Sequence, residues 1–428
     1  MIHYFTDPVL SAPTIGSMLM CLLAGFVGTF SVLLKRSLVG EALSHASYPG
    51  VILGLIIAKL LFVENQLIPL VGAALSSLLG IYLIQKLVWN YKIQSDSALT
   101  FVLASFFGVA LVFLSSVQTS YPTLYREMQS YLFGQAATQT NVQVVLYLVL
   151  TGIVLTGTLL FYRPIKIVIS DPEYAQAVGI NRHQIYMLIW AITVLSVVVG
   201  IRSLGVVLMS SMLIFPAVTS RLWTEKLEVV LLLASLLGML SGFFGVYMSH
   251  EMSHAVSFPT GPMIVVCAAL FFILSAIFSP KQGLLFRAIR KFSFEKRCTE
   301  ENLLKLLYKC SVEKNAVQFS CDEIAKRFQA SLWQPLGALE RKGWVKRAED
   351  SIELTPSGML WGRKIVRLHR LWEVYLVEYC EVGKDRVHPS AEAMEHIITP
   401  EIEEELEVLL SHPTVDPHKQ PIPPHEVV

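Results

Sequence analysis

Between residues 15 and 279 the chain passes through one sparsely charged apolar run after another, each near the length that crosses a lipid bilayer. The hydrocarbon core of a bilayer is about 30 Å thick and asks for roughly 17–25 apolar residues per helical crossing. No water is available there to satisfy backbone N–H and C=O groups, so such runs fold as helices. They lie near 15–34, 48–63, 67–88, 98–117, 142–162, 185–201, 204–220, 228–248 and 262–279. Several are short or broken by Gly and Pro, which gives 8–9 crossings. Charge shows where this regime ends: residues 1–280 hold 22 of the 67 Asp, Glu, Lys and Arg side chains, and residues 281–428 hold the other 45. The expected fold class is an all-α polytopic membrane protein followed by a soluble part of ordinary composition.

Basic residues orient the crossings. Lys35 and Arg36, Lys86 with Lys92, Arg163 with Lys166 and Arg182, and Arg221 with Lys226 fall in alternate loops. Loops rich in Lys and Arg stay in the cytoplasm, so the N-terminus is expected outside and the C-terminus inside. The stretch after the last run, KQGLLFRAIRKFSFEKR, has six basic residues and one acid, as a cytoplasmic flank does. The opening MIHYFTDPVLSAPT has no basic start, so no cleavable signal is expected. The six cysteines show no C-x-x-C spacing, which gives no disulfide framework or zinc knuckle. A net charge of +1 gives no overall pull toward polyanions.

Three irregular stretches interrupt the membrane part. GEALSHASYPG (40–50) sets Glu41 and His45 between two runs. At bilayer depth such residues face a cavity or a partner; the plain alternative is a short polar loop. DPEYAQAVGIN (171–181) reads as a short helix, with Asp171 as N-cap, Pro172 in the first turn, Glu173 and Ala177 within it, and Gly179 closing it. SHEMSHAVSFPTGPMI (249–264) puts His250 and His254 four residues apart on the outer side, as cation ligands or simply as a polar loop.

The order SLVGEALSHASYPGVILG, DPEYAQAVGI, SLGVVLMSSMLIFPAVTSRL and SFPTGPMIVV resembles the permease family of manganese, zinc and iron ABC importers, over about residues 10–280. The resemblance implies a bacterial inner-membrane subunit without catalytic residues, working with an extracytoplasmic metal-binding protein. It also implies that 172–179 is the coupling helix that docks on a separate ABC ATPase subunit, and that His45 lies beside the translocation path. The chain contains no G-x-x-x-x-G-K-[ST], so no P-loop ATP site is expected in it.

From about residue 299 the pattern changes to short amphipathic helices. TEENLLKLLYKCSVE has Leu303, Leu306, Leu307 and Cys310 on one helical face. SCDEIAKRF opens with a capping-box pair, Ser320 and Glu323. SLWQPLGALERKGW ends at Gly343, and WVKRAEDSIELT gives two short strands around a polar turn. Helix, helix, turn, helix and hairpin is the layout of a winged helix-turn-helix. Lys326, Arg327, Arg341, Lys342, Lys346 and Arg347 are placed to hold phosphates, and bases would be read at the start of the third helix, expected at Pro335, with Ser331 and Gln334 in the preceding turn as further DNA-binding candidates. A winged helix used only for protein contacts is the alternative.

A long helix near 357–380 then carries His369 and Glu373 four residues apart, and the next helix opens at His388 and carries Glu392, Glu395 and His396 on one face. Two such helices facing each other could surround a divalent ion; acidic surface helices also contain such pairs by chance. RLHRLWEVYLVEY, VHPSAEAMEHIIT and SHPTVDPHKQPIP resemble, in order, the metal-sensing and dimerisation domain of the diphtheria-toxin-repressor family. In that family a divalent metal tightens a homodimer that binds a DNA operator. Matched residue by residue, His369, Glu373 and His388 fall on one metal site and Glu392, Glu395 and His396 on the other. Two departures stand out: Glu392 replaces the cysteine of the iron-sensing branch, and Asn302 with Lys305 occupies the first helix where a ligand is usual, with Glu300 or Glu301 as substitutes. The SH3-like domain of longer members is not seen. An N/O ligand set with carboxylates suits Mn²⁺ or Fe²⁺, with Zn²⁺ also able to bind.

The expected organisation is a permease domain (1–280), a basic linker (281–298), a winged helix (299–356) and a metal-sensing, dimerising domain (357–428). The expected function is metal import joined to metal-dependent repression. A membrane-tethered sensor that does not transport, and a metal-gated transporter that does not bind DNA, are the alternatives. A tethered repressor must reach DNA from the membrane or be released, and the basic linker is the place expected for release.

Overall fold

The computed structural model describes residues 3–62, 67–252, 258–328, 331–348 and 350–425. It divides into two units, Met1–Phe286 and Arg287–Val428. In the first, nine helices among the described residues are long and apolar enough to cross a membrane: α1 (Ser11–Leu33), α2 (Leu38–Leu60), α3 (Leu67–Trp89), α4 (Ser95–Gln118), α5 (Asn141–Leu160), α6 (Arg182–Leu204), α7 (Val206–Trp223), α8 (Leu227–Met252) and α9 (Thr260–Phe278). Helices α1, α2 and α6 are the most buried, and α4, α5 and α9 turn most of their apolar surface outward, as lipid-facing helices do.

Lipid is as apolar as leucine, so these helices associate by close backbone approach, which small residues permit. Gly238 and Gly242, a G-x-x-x-G pair on α8, lie against α1: a Cβ at Gly238 would sit 2.2 Å from the Cys21 carbonyl oxygen and one at Gly242 2.7 Å from that of Ser17. The short helices His3–Thr6, Pro122–Phe133 and Tyr162–Ser170 were outside the sequence reading, whereas the short helix expected within 171–181 is present as Pro172–Ala177.

One expectation is corrected here. The stretch 40–50 is neither a loop nor a break between crossings; it lies wholly inside α2, which starts at Leu38 instead of near 48 and contains Pro49. Proline cannot donate to the carbonyl four residues back, yet Ser, Ala and Gly are small enough for a neighbouring helix to close over the gap. Serine hydroxyls of α3 take up nearby carbonyls, Ser76 bonding the Ala46 oxygen at 2.6 Å.

Helix α10 (Leu284–Lys314) begins in the last residues of the first unit and lies otherwise in the second. The basic segment expected as a linker at 281–298 is therefore helical from Leu284 on, continuous with the first helix of the winged fold. Its apolar face packs Leu303, Leu304, Leu307 and Cys310 into a core with Ile324, Leu336, Leu339, Val345, Ile352 and Leu354. Around that core stand β1 (Gln318–Ser320), α11 (Cys321–Arg327), α12 (Trp333–Arg341), β2 (Val345–Ala348) and β3 (Ser351–Leu354). The strands form an antiparallel sheet in the order β1-β3-β2, with Val345 opposite Leu354 and Phe319 opposite Ile352. This is the winged helix-turn-helix, with one strand, β1, more than expected. Three helices complete the unit: α13 (Pro356–Glu378), α14 (Val387–Met394) and α15 (Pro400–Leu409).

Two local expectations fail. Ser320 makes no side-chain cap bond; Glu323 instead pairs with Lys314 at 2.5 Å and with Arg327 at 3.7 Å. Helix α12 begins at Trp333, not Pro335. Pro335 is its third residue, where the missing N–H is one a helix start leaves unpaired anyway, so Gln334 lies inside the helix and only Ser331 precedes it.

Candidate metal centre

Helix α13 is capped by Thr355, whose side chain accepts from Gly358 N at 3.1 Å, and its buried face carries Arg367, His369, Leu371, Glu373 and Val374. The four-residue spacing stacks His369 and Glu373 on that face. His388, the second residue of α14, reaches back to both. Its Nδ1 lies 3.0 Å from His369 Nε2 and 3.0 Å from Glu373 Oε1, and His369 Nε2 lies 3.3 Å from Glu373 Oε1. His369 and Glu373 are buried, whereas the His388 side chain is 52% exposed, which opens one side to arriving ions. The other Glu373 oxygen faces His418 Nδ1 at 3.8 Å, and Glu373, Asp416 and His418 form a second group with ion-holding spacing.

Burial alone would raise the Glu373 carboxyl, but hydrogen bonds from His369 and His388 overcome it and bring the pKa to about 2. Burial would lower His369, and its bonds to Glu373 and Glu395 more than reverse this, holding the imidazole above its ordinary value. Glu395 is held below the carboxylate range: burial works against this, and the His369 and Lys305 contacts prevail.

The second expected ligand set does not converge. Helix α14 ends at Met394 with Glu395 as its helical C-cap, so of the assumed common face only His396 lies beyond the helix end. Glu392 is exposed and turns to His388 Nε2 at 3.7 Å. Glu395 is buried between Lys305 and His369. His396 bonds Glu301 Oε2 at 2.6 Å and Asn302 Oδ1 at 3.1 Å on α10.

In the first unit, Asp171 caps Pro172–Ala177 by accepting from Glu173 N and Tyr174 N, each at 3.0 Å. Gly179 ends the helix at φ +81°, a left-handed conformation that suits glycine. Tyr174 and Val178 are exposed beside it. His45 is buried with its ring 4.6 Å from that of Phe107, and its Nδ1 has no hydrogen-bond partner among the described residues. Glu41 lies one turn earlier, partly exposed, on the same helix. His250 Nδ1 meets the Tyr4 hydroxyl at 2.9 Å, and that hydroxyl donates to Glu251 at 2.8 Å. His254 lies outside the described residues.

Residues 6–279, more than half of the chain, match the ABC 3 transport family. The chain belongs to that family. Residues 355–424 match the iron dependent repressor, metal binding and dimerisation domain, so a repressor-type domain is fused to the permease. A probable metal transport system membrane protein of Chlamydia trachomatis serovar D is 32% identical over 98% of this chain and 97% of its own. The manganese transport system membrane protein MntC of Bacillus subtilis is 32% identical over 86% of this chain and 84% of its own. Among solved structures, PsaBC from Streptococcus pneumoniae in complex with Fab is 26% identical, covers 66% of this chain and 98% of that one, and superposes with a TM-score of 0.57.

The donor set of the first cluster fits a divalent metal ion. Two imidazole nitrogens and a carboxylate oxygen meet at one point, and no thiolate is among them. His369 Nδ1 lies 2.5 Å from the Glu395 carboxylate, an arrangement that orients the ring and turns Nε2 toward Glu373 and His388.

The basic residues of the winged helix are less free than the sequence implied. Arg327 pairs with Glu313 at 3.1 Å, Lys342 with Glu300 at 2.7 Å, and the Arg347 guanidinium lies 4.7 Å over the Trp333 ring. Ser331, Gln334, Lys326 and Lys346 are exposed. Sequence reasoning missed Asp416 and His418. The signal was the DPH triplet in SHPTVDPHKQPIP: Asp416 Oδ1 accepts from His418 N and Gln420 N, each at 2.8 Å, and so turns the chain back.

Proposed function

We propose that this protein is the membrane subunit of an ABC importer for a divalent transition metal, Mn²⁺ or Fe²⁺ ahead of Zn²⁺, and that its C-terminal half is a cytoplasmic metal-dependent repressor. ATP is hydrolysed by a separate ATPase that docks on the helix Pro172–Ala177, and an extracytoplasmic metal-binding protein delivers the ion. The ion passes Glu41 and His45. The sensing half homodimerises and binds an operator, with His369, Glu373 and His388 as its metal ligands.

One observation carries this reading: a His–Glu–His cluster with two buried members and one half-exposed one, its donor atoms 3.0–3.3 Å apart, follows a winged helix in a member of the ABC 3 family. The test is retention of DNA from upstream of the gene by the full chain in nanodiscs. Retention with Mn²⁺ or Fe²⁺, lost in His388→Ala, is expected. No metal-dependent retention with either ion overturns the repressor half, and no metal uptake by vesicles holding the chain and its ATPase overturns the importer half.

A second reading, metal gating of the permease without DNA, has one observation in its favour. Arg327, Lys342 and Arg347 are engaged within the domain, which leaves fewer charges to meet phosphates.

A further inference from the structure

Lys305 stands on α10, one turn after Asn302, with its side chain 6% exposed. Its ammonium lies 3.0 and 2.7 Å from the two oxygens of Glu395 and 3.0 Å from His369 Nδ1. Glu395 is wholly buried and also meets His369 Nδ1 at 2.5 Å. A carboxylate at that depth needs a compensating positive charge, and Lys305 supplies it. An ammonium presents three donors and no lone pair, so a divalent ion approaching Glu395 meets hydrogens where it needs a ligand. His396 Nε2 lies 3.6 Å from Glu395 Oε1, but its ring nitrogens bond Glu301 and Asn302, and Glu392 turns toward His388. The residues present therefore do not fit a metal ion at the Glu392, Glu395 and His396 position.

We propose that Lys305 is a built-in cation that takes the place of a metal ion at the Glu395 cluster. The sensing half then answers metal through one centre, His369–Glu373–His388, and the second position is closed at all times. His369 belongs to both: its Nδ1 edge is held by Glu395 and its Nε2 edge faces the metal centre. Helix α10, the first helix of the winged fold, is tied to α13 and to the end of α14 whether metal is bound or not. Metal thus has less to rearrange than in a two-ion design. This inference rests on the reading of the His369–Glu373–His388 cluster as a metal sensor.

The test counts manganese bound per full-length chain in nanodiscs after equilibration with Mn²⁺ and desalting, on variants whose circular dichroism matches the parent. His388→Ala loses one ion, His396→Gln loses none, and Lys305→Glu, which exchanges the ammonium for a ligand, gains one. Loss of an ion in His396→Gln overturns the proposal without any change at Lys305. An unchanged count in folded Lys305→Glu overturns it too. Failure of the underlying sensor reading looks different: His388→Ala then keeps the full count.

Discussion

Glu373→Gln keeps the shape of the side chain and removes the one charge shared by both donor groups. In the metal-free chain the two histidines hold Glu373 at about 2 against an ordinary 4.5. That difference is roughly 3 kcal/mol at about 1.4 kcal/mol per pH unit, and screening through the half-exposed His388 reduces it to on the order of 1–2 kcal/mol. A depressed carboxylate stabilises the fold above its unfolded pKa and loses that contribution as pH falls toward its folded one. At neutral pH the variant should therefore be less stable by on the order of 1–2 kcal/mol. Its response to metal should change more. Residues that merely support a ligand cost about 10–100-fold in affinity when removed, so loss of a charged ligand should cost about 100-fold or more. With Mn²⁺ at about 100 times the parent Kd the parent gains about 2.7 kcal/mol, while the variant gains about 0.4 kcal/mol at most. Hydrogen exchange of the α13 peptides in the full chain, with and without Mn²⁺, reads both numbers. Equal Mn²⁺-induced protection in parent and variant would refute Glu373 as a ligand.

The remaining predictions concern protons, a buried ion pair and a helix cap. His369 is held above its ordinary 6.5, so its contribution to metal-free stability is complete below 6.5 and is lost as pH rises through the folded value. Mn²⁺ must displace that proton, so affinity should rise from pH 6 to 8; calorimetry in buffers of different ionisation enthalpy should detect the release, and pH-independent binding would contradict it. Arg367 pairs with buried Glu403 at 2.9 Å, with Glu407 at 2.8 Å, and donates to the Pro423 carbonyl at 2.5 Å. Arg367→Met should cost about 3–5 kcal/mol by leaving Glu403 uncompensated, seen as faster hydrogen exchange across 413–425; unchanged exchange there would count against it. Asp171→Ala should cost about 1 kcal/mol of cap energy and weaken co-purification with the ATPase while leaving Mn²⁺ at the sensor unaffected; undiminished co-purification would remove Pro172–Ala177 as the docking element.

The crossings were legible because a bilayer imposes one simple demand, an apolar run of fixed length, and the nine runs correspond to nine such helices among the described residues. Where polar residues enter a buried helix that demand gives no guidance. His45 and Glu41 read as a break, yet packing of Gly, Ala and Ser around them keeps α2 continuous. In the second unit, helical spacing sufficed for His369, Glu373 and His388, whose positions are set by two regular helices. It did not suffice for Glu392, Glu395 and His396, because Glu395 and His396 are taken up by partners on α10, Lys305 and the pair Glu301 and Asn302. Lys305 and His418 were beyond periodicity altogether. One comes from α10, 90 residues from Glu395 in the chain, and the other from an Asx turn near the end. Ser320 and Glu323 show the same limit locally, since Lys314 and Arg327 outbid the cap for the carboxylate.

The central claim is that a metal ion binds at His369, Glu373 and His388 in the same chain that carries the permease. Pulsed electron–nuclear double resonance on the Mn²⁺-loaded full-length chain in nanodiscs tests it most directly. The account predicts nitrogen couplings from two imidazoles at the sensor, one of which disappears in His388→Ala while Mn²⁺ affinity falls. Identical nitrogen couplings and affinity in parent and His388→Ala would contradict it.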